Sequence, residues 1–151
     1  MALHQDFKDL LEVFARENVR YLLVGGYAVA FHSVPRFTKD IDLWIDPAPE
    51  NVESAARALE AFGAPADVVT AWRDAAPDEI VYFGHPPFRV DLLRSVAGGD
   101  FAGAFARRET EKWEDAPVHV IGRDDLIAIK RAAGRPQDLL DVKALERSRG
   151  G

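Results

Sequence analysis

The segment Asp40-Ile41-Asp42-Leu43-Trp44-Ile45 carries two carboxylates separated by one residue. In an extended strand that spacing puts both on one face, while Ile41, Leu43 and Ile45 take the other. Two neighbouring carboxylates repel and raise each other's pKa, and a hard divalent cation turns that repulsion into a binding site. The same alternation also fits a strand with one solvated face. A further aspartate, Asp91, lies between Val90 and Leu92 in Phe88-Arg89-Val90-Asp91-Leu92-Leu93. It therefore points away from those two apolar side chains and is a candidate third oxygen ligand. Alone it would read as structural or solvent-facing.

A second kind of chemistry comes from Val24-Gly25-Gly26, between an apolar run and the start of a helical segment. Free backbone amides and the helix dipole attract anions there, and missing Cβ atoms let a phosphate approach closely. A Gly-Gly pair equally serves a plain turn. Arg36, Thr38 and Lys39 lie between the glycines and the first aspartates and are donors suited to a triphosphate, or simply solvated groups. Lys130, among Leu126, Ile127 and Ile129, either reaches phosphate or is a surface lysine on an amphipathic helix.

The elements that must position these groups alternate along the chain. Phe7, Leu10, Leu11, Phe14 and Ala15 recur at helical spacing and predict a first amphipathic helix. Tyr21-Leu22-Leu23-Val24 reads as a short buried strand, residues 27–32 as a helix ended by Pro35, and residues 40–46 as a second strand. Residues 51–62 predict a helix stopped by Gly63. Residues 64–78, rich in Ala, Pro and Asp, predict a loop or short strand, with a composition suited to a lid. Residues 80–83 and 88–93 read as an antiparallel hairpin, residues 100–108 as a helix and residues 118–121 as an edge strand. Two last helices follow, residues 124–133, stopped by Gly134, and a helix opened by Pro136 and running through residue 145.

Composition sets limits on the class of protein. At 151 residues, one domain spanning residues 1–151 is expected, with C-terminal helices from about 123 to 147 packed on it. Apolar content of 48% is that of a globular protein, and no apolar stretch approaches the roughly 20 residues of a membrane span. The absence of cysteine excludes disulfides, thiolate metal sites and cysteine nucleophiles. With no secretory pattern at the first residues, the cytoplasm is the expected location. A net charge of -6 argues against broad charge-driven binding to nucleic acid. His4, His32, His85 and His119 lack the short spacing of a zinc site.

Taken in order, Val24-Gly25-Gly26, a short helix, Asp40-Ile41-Asp42-Leu43 and Val90-Asp91-Leu92 resemble the signature of the DNA polymerase beta-like nucleotidyltransferases. The nearest look is that of the small bacterial minimal nucleotidyltransferases, which include components of toxin-antitoxin and abortive-infection systems. Arg36-Phe37-Thr38-Lys39-Asp40-Ile41-Asp42 is similar to the Arg-x-Thr-x-Asp-x-Asp form of that branch. The segment from Lys130 to Asp138, with Asp141, extends the likeness over most of the chain. The resemblance implies an α+β fold, a mixed β-sheet with helices mainly on one face and the metal site on the other. It implies two magnesium ions, with manganese as a substitute, held by Asp40, Asp42 and Asp91. It further implies a nucleoside triphosphate such as ATP cradled by Gly25 and Gly26 and steadied by Thr38, Arg36 or Lys130. The acceptor would be a hydroxyl on a protein, an RNA end or a small molecule, and a partner protein of a toxin-antitoxin pair is a further expectation.

Other readings of the same residues fit less well. A haloacid dehalogenase-like phosphatase needs an apolar strand ahead of the first aspartate, where Phe37-Thr38-Lys39 stands. Neither a Gly-x-x-x-x-Gly-Lys-Ser/Thr run nor a Gly-x-Gly-x-x-Gly run is present. A module with the same fold that binds nucleotide or a protein without catalysis remains the alternative from another class.

Overall fold

The computed structural model describes residues 5–34, 38, 40–85, 88–114 and 116–148. Among them the chain forms a six-stranded mixed sheet and seven helices, an α+β architecture. In chain order the elements are α1 (Gln5–Arg16), β1 (Tyr21–Val24), α2 (Gly25–His32), β2 (Asp40–Ile45), α3 (Pro49–Phe62) and α4 (Ala66–Asp74). They are followed by β3 (Val81–Phe83), β4 (Arg89–Leu93), α5 (Phe101–Ala106), β5 (Glu109–Trp113), β6 (Ala116–Val120), α6 (Arg123–Ala133) and α7 (Pro136–Arg147).

The strands lie in the order β3-β4-β2-β1-β6-β5. β2 runs antiparallel to β1 and parallel to β4, so the strand bearing the paired aspartates sits at the middle of the sheet. Its apolar positions explain that placement: Ile41, Leu43 and Ile45 are fully buried on one face, and Tyr21 and Leu23 of β1 pair beside Ile45 and Leu43. Helices α1 and α3 close over this face. The Phe14 ring meets Tyr21 edge-on at 5.6 Å, and Phe62 meets Phe83 at 6.2 Å. Burying side chains such as Leu10, Leu11, Phe14, Leu43 and Leu59 supplies roughly 1.5–3 kcal/mol each against exposure. On the opposite face Trp44 follows Asp40 and Asp42 in the same alternation and is covered by Phe101 of α5, with ring centroids 5.3 Å apart. No helix among the described residues is long and apolar enough to cross a membrane.

Three sequence expectations change. Residues 66–74 are a helix and not a loop or lid: Val69 and Trp72, three apart, are buried, and the Trp72 indole N–H donates to the Val52 carbonyl at 3.0 Å. The guanidinium of Arg94 then donates to the carbonyls of Trp72 and Ala75, capping the helix C-terminus. The edge strand is β5, absent from the sequence reading, while residues 116–120 lie inside the sheet between β1 and β5. β5 is almost wholly exposed apart from Trp113 and so carries little apolar periodicity to betray it. Lastly, α2 begins at Gly25 itself, so the glycines are its first helical residues.

Candidate active site

Strand register brings the acidic residues together. In the parallel pair β2–β4, Asp42 stands opposite Asp91 and Asp40 opposite Arg89, and in the antiparallel pair β1–β2, Val24 stands opposite Asp42. Because partners in register share a face and the side-chain period is two, Asp40, Asp42, Arg89 and Asp91 all project from one side of the sheet. Asp40, Asp42 and Asp91 floor a cleft of about 420 Å³, reached also by Val24 and Gly25. Across the cleft stand Leu126, Ile129 and Lys130 of α6, with Arg135 and Asp138 at the start of α7.

Gly25 meets this floor at close range. Its φ is +71°, a conformation costly for residues with a Cβ, and it opens α2 with no side-chain cap on the helix N-terminus. Uncapped amides at a helix start are the kind of group that attracts anions, and this one lies beside the carboxylates.

The electrostatics are those of a crowded acidic centre. Burial is the main reason that the Asp42 carboxyl is pushed up to about 7, and the charge and hydrogen bond of Asp91 and the charge of Asp40 push the same way against Lys130. Asp91 receives the Arg89 Nε–H at 2.9 Å on Oδ1. Lys130 is buried, with its ammonium 3.2 Å from Asp138 Oδ1 and 3.0 Å from Asp141 Oδ2. Arg135 adds a forked pair of bonds to Asp138, at 2.7 and 3.2 Å, and these hold the Asp138 carboxyl below its usual range.

The sequence candidates among the described residues can now be located. Asp40, Asp42, Asp91, Gly25 and Lys130 line one cleft. Among the described residues the lining includes neither Gly26, one residue into α2, nor Thr38. Arg36 lies outside the described residues. Lys130 is neither a surface lysine nor a free donor, because its charge is shared by two buried aspartates. Arg89, bonded to Asp91, is not among the sequence candidates; its position two before Asp91 is the available signal, since that spacing shares a face.

Among the described residues no group of three or more His, Cys, Asp or Glu side chains is arranged to hold a metal ion. The donor chemistry nonetheless suits one. Asp40, Asp42 and Asp91 offer hard oxygens, and the raised pKa of Asp42 records negative charge that a divalent cation would relieve. Arg89 donates to Asp91 on the same face of the sheet.

No family model matches the sequence, and the comparison with curated proteins finds none that matches. The fold is that of the nucleotidyltransferases. The chain is similar to the crystal structure of the lincosamide antibiotic adenylyltransferase LnuA, lincomycin-bound, with a TM-score of 0.55 and 15% identity over 96% of this chain and 97% of that one. It is also similar to the solution structure of the antibiotic-resistance factor ANT(2'')-Ia, with a TM-score of 0.50 and 13% identity over 95% of this chain and 80% of that one.

Proposed function

We propose that the chain is a metal-dependent nucleotidyltransferase that moves a nucleoside monophosphate from a nucleoside triphosphate to a hydroxyl acceptor. In this reading residues 1–151 act as one domain in the cytoplasm, with α6 and α7 supplying the far wall of the cleft. The observation that carries the reading is the Asp42–Asp91 register pair, with Asp40 on the same face and Gly25 beside them.

Asp40 and Asp42 would hold both of two magnesium or manganese ions, and Asp91 the acceptor-side one. Such ions, when bound, supply charge neutralisation on the triphosphate and Lewis-acid activation of the acceptor hydroxyl. Gly25 and Gly26 would donate backbone N–H groups to the β and γ phosphates. Thr38, Arg36 and Lys130 would steady pyrophosphate as it leaves. Lys130 would act with its charge already fixed by Asp138 and Asp141, and so at low ordering cost. The acceptor oxygen would form a bond to the α phosphorus, the bond from that phosphorus to the bridging oxygen would break to release pyrophosphate, and Asp91 would take up the hydroxyl proton. The apolar side chains of Leu126 and Ile129 would exclude water that competes with the acceptor.

Similarity to LnuA and ANT(2'')-Ia favours ATP as donor and a small hydroxyl-bearing molecule as acceptor, ahead of a protein or an RNA end. Membership of a toxin-antitoxin pair, with a partner protein, is the extension that the Arg36–Asp42 pattern supports.

The test is incubation with each labelled nucleoside triphosphate, magnesium and candidate acceptors, following pyrophosphate release and label transfer. Wild-type protein should transfer label, and Asp42→Asn, which removes charge and keeps shape, should abolish transfer while the protein still melts cooperatively. Should wild type release no pyrophosphate with any acceptor while a protein copurifies with it, the non-catalytic interaction module is the better reading.

A further inference from the structure

Arg89 is a cation on the charged face of the sheet that the nucleotidyltransferase reading does not use. Arg89 lies two residues before Asp91 on β4 and directly across from Asp40 on β2. Its Nε–H donates to Asp91 Oδ1 at 2.9 Å, while its guanidinium carbon sits 4.2 Å from the centroid of the Tyr82 ring. Tyr82 is the β3 partner of Asp91, and Asp42 is the β2 partner of Asp91. Arg89 therefore grips Asp91 from the β3 flank, opposite to the flank on which Asp42 and Asp40 lie. One oxygen of Asp91 is thus held by a charge-assisted bond.

We propose that Arg89 is a positioning residue. Braced on the Tyr82 ring, it holds Asp91 Oδ1 so that the other carboxylate oxygen is turned toward Asp40 and Asp42, ready for the acceptor-side cation. The claim rests on the nucleotidyltransferase reading to the extent that it takes these aspartates as cation ligands.

The physical reasons are two. A carboxylate alone on a strand edge rotates between rotamers, and fixing it beforehand removes that entropy from the binding step; hydrogen-bonding partners of ligating carboxylates commonly change metal affinity by about 10- to 100-fold. The second reason is the ring. A guanidinium stacked on an aromatic face keeps a defined direction for its Nε–H, which a lysine ammonium cannot reproduce. Arg89 is about one-third exposed and Asp91 largely covered, so the clamp works at a half-exposed position where water would otherwise compete for Asp91.

The experiment is a titration with Mn2+ alone, reading free Mn2+ by its paramagnetic resonance signal, on wild type, Arg89→Met, Arg89→Lys and Tyr82→Leu, each checked by its metal-free melting curve. The expected result is a 10- to 100-fold weaker Mn2+ affinity for Arg89→Met at unchanged melting temperature, nearly as large a loss for Arg89→Lys, and a smaller one for Tyr82→Leu. A purely structural arginine would move the melting curve and leave affinity alone. Wild type that binds Mn2+ together with an Arg89→Met variant that binds as tightly or more tightly overturns the positioning role and leaves the cation site standing. Wild type that binds no Mn2+ overturns the cation site and the clamp together. Should Arg89→Met fail to fold, Tyr82→Leu decides: unchanged affinity overturns the clamp.

Discussion

Gly25 has no room for a side chain because Asp42 stands against it: a Cβ built there would lie 2.9 Å from Asp42 Cγ and 3.0 Å from Asp42 Cβ. The glycine is thus required twice, by its φ of +71° and by the carboxylate that faces it. Gly25→Ala should cost at least about 1–2 kcal/mol from the left-handed backbone alone, measured by urea unfolding. It should also displace Asp42 and abolish magnesium-dependent transfer. Gly26→Ala, inside the helix, should leave stability within about 1 kcal/mol of wild type or raise it. Equal losses for the two variants would remove the special role of the Gly25–Asp42 contact.

Asp42 gives the metal-free protein a pH dependence of defined sign. Its folded pKa, about 7, lies above the ordinary 3.8, so between these values the folded state binds more protons than the unfolded one. The stability that Asp42 contributes is complete below the unfolded pKa and is lost as pH rises through about 7. Chemical denaturation from pH 4 to 8 in the presence of a chelator should show this fall, and Asp42→Asn should flatten it. Magnesium should raise the melting temperature more at pH 8 than at pH 6, because the cation displaces the same proton.

Lys130, Asp138 and Asp141 form a buried charge cluster that joins α6 to α7. Lys130→Met would take the ammonium from two buried carboxylates, leaving Asp138 to Arg135 and Asp141 to the Gln137 amide, at a cost of about 3–5 kcal/mol in denaturant unfolding. Lys130→Met combined with Asp138→Asn and Asp141→Asn should recover a large part of that loss. A loss under about 1 kcal/mol for the single variant would mean that the cluster is not the joint between the helices.

Helix α4 should behave as a fixed wall of the fold. Trp72 is fully buried, bonded to the Val52 carbonyl, and flanked by the Arg94 guanidinium 4.6 Å from its ring centroid. Trp72→Ala should cost about 3–5 kcal/mol. Amide hydrogens of residues 66–74 in wild type should exchange as slowly as those of α3; rapid exchange there would restore the lid expected from composition.

Much of this architecture could be read from the chain because local pattern and burial agree. The alternation at Ile41, Leu43 and Ile45 and the helical stripe at Phe7, Leu10, Leu11 and Phe14 each mark a buried face, and apolar periodicity reports that directly. β5 and α4 escaped for opposite reasons. β5 buries only Trp113 and is held by backbone bonds to β6, which leave no mark on side-chain pattern. α4 owes its helix to Trp72 finding Val52 and Arg94, contacts made far along the chain.

By itself the sequence determined which residues could do chemistry and how each lies along its own strand, since side-chain alternation places Asp40 beside Asp42 wherever that strand goes. Only the tertiary structure decided that β4 pairs in parallel with β2 in the register that sets Asp91 opposite Asp42, because strand pairing is chosen by the whole core. The same packing turned Lys130 inward between two aspartates and placed Arg89 on the outer flank of Asp91. Such partnerships depend on distance in space, and spacing along the chain does not encode them.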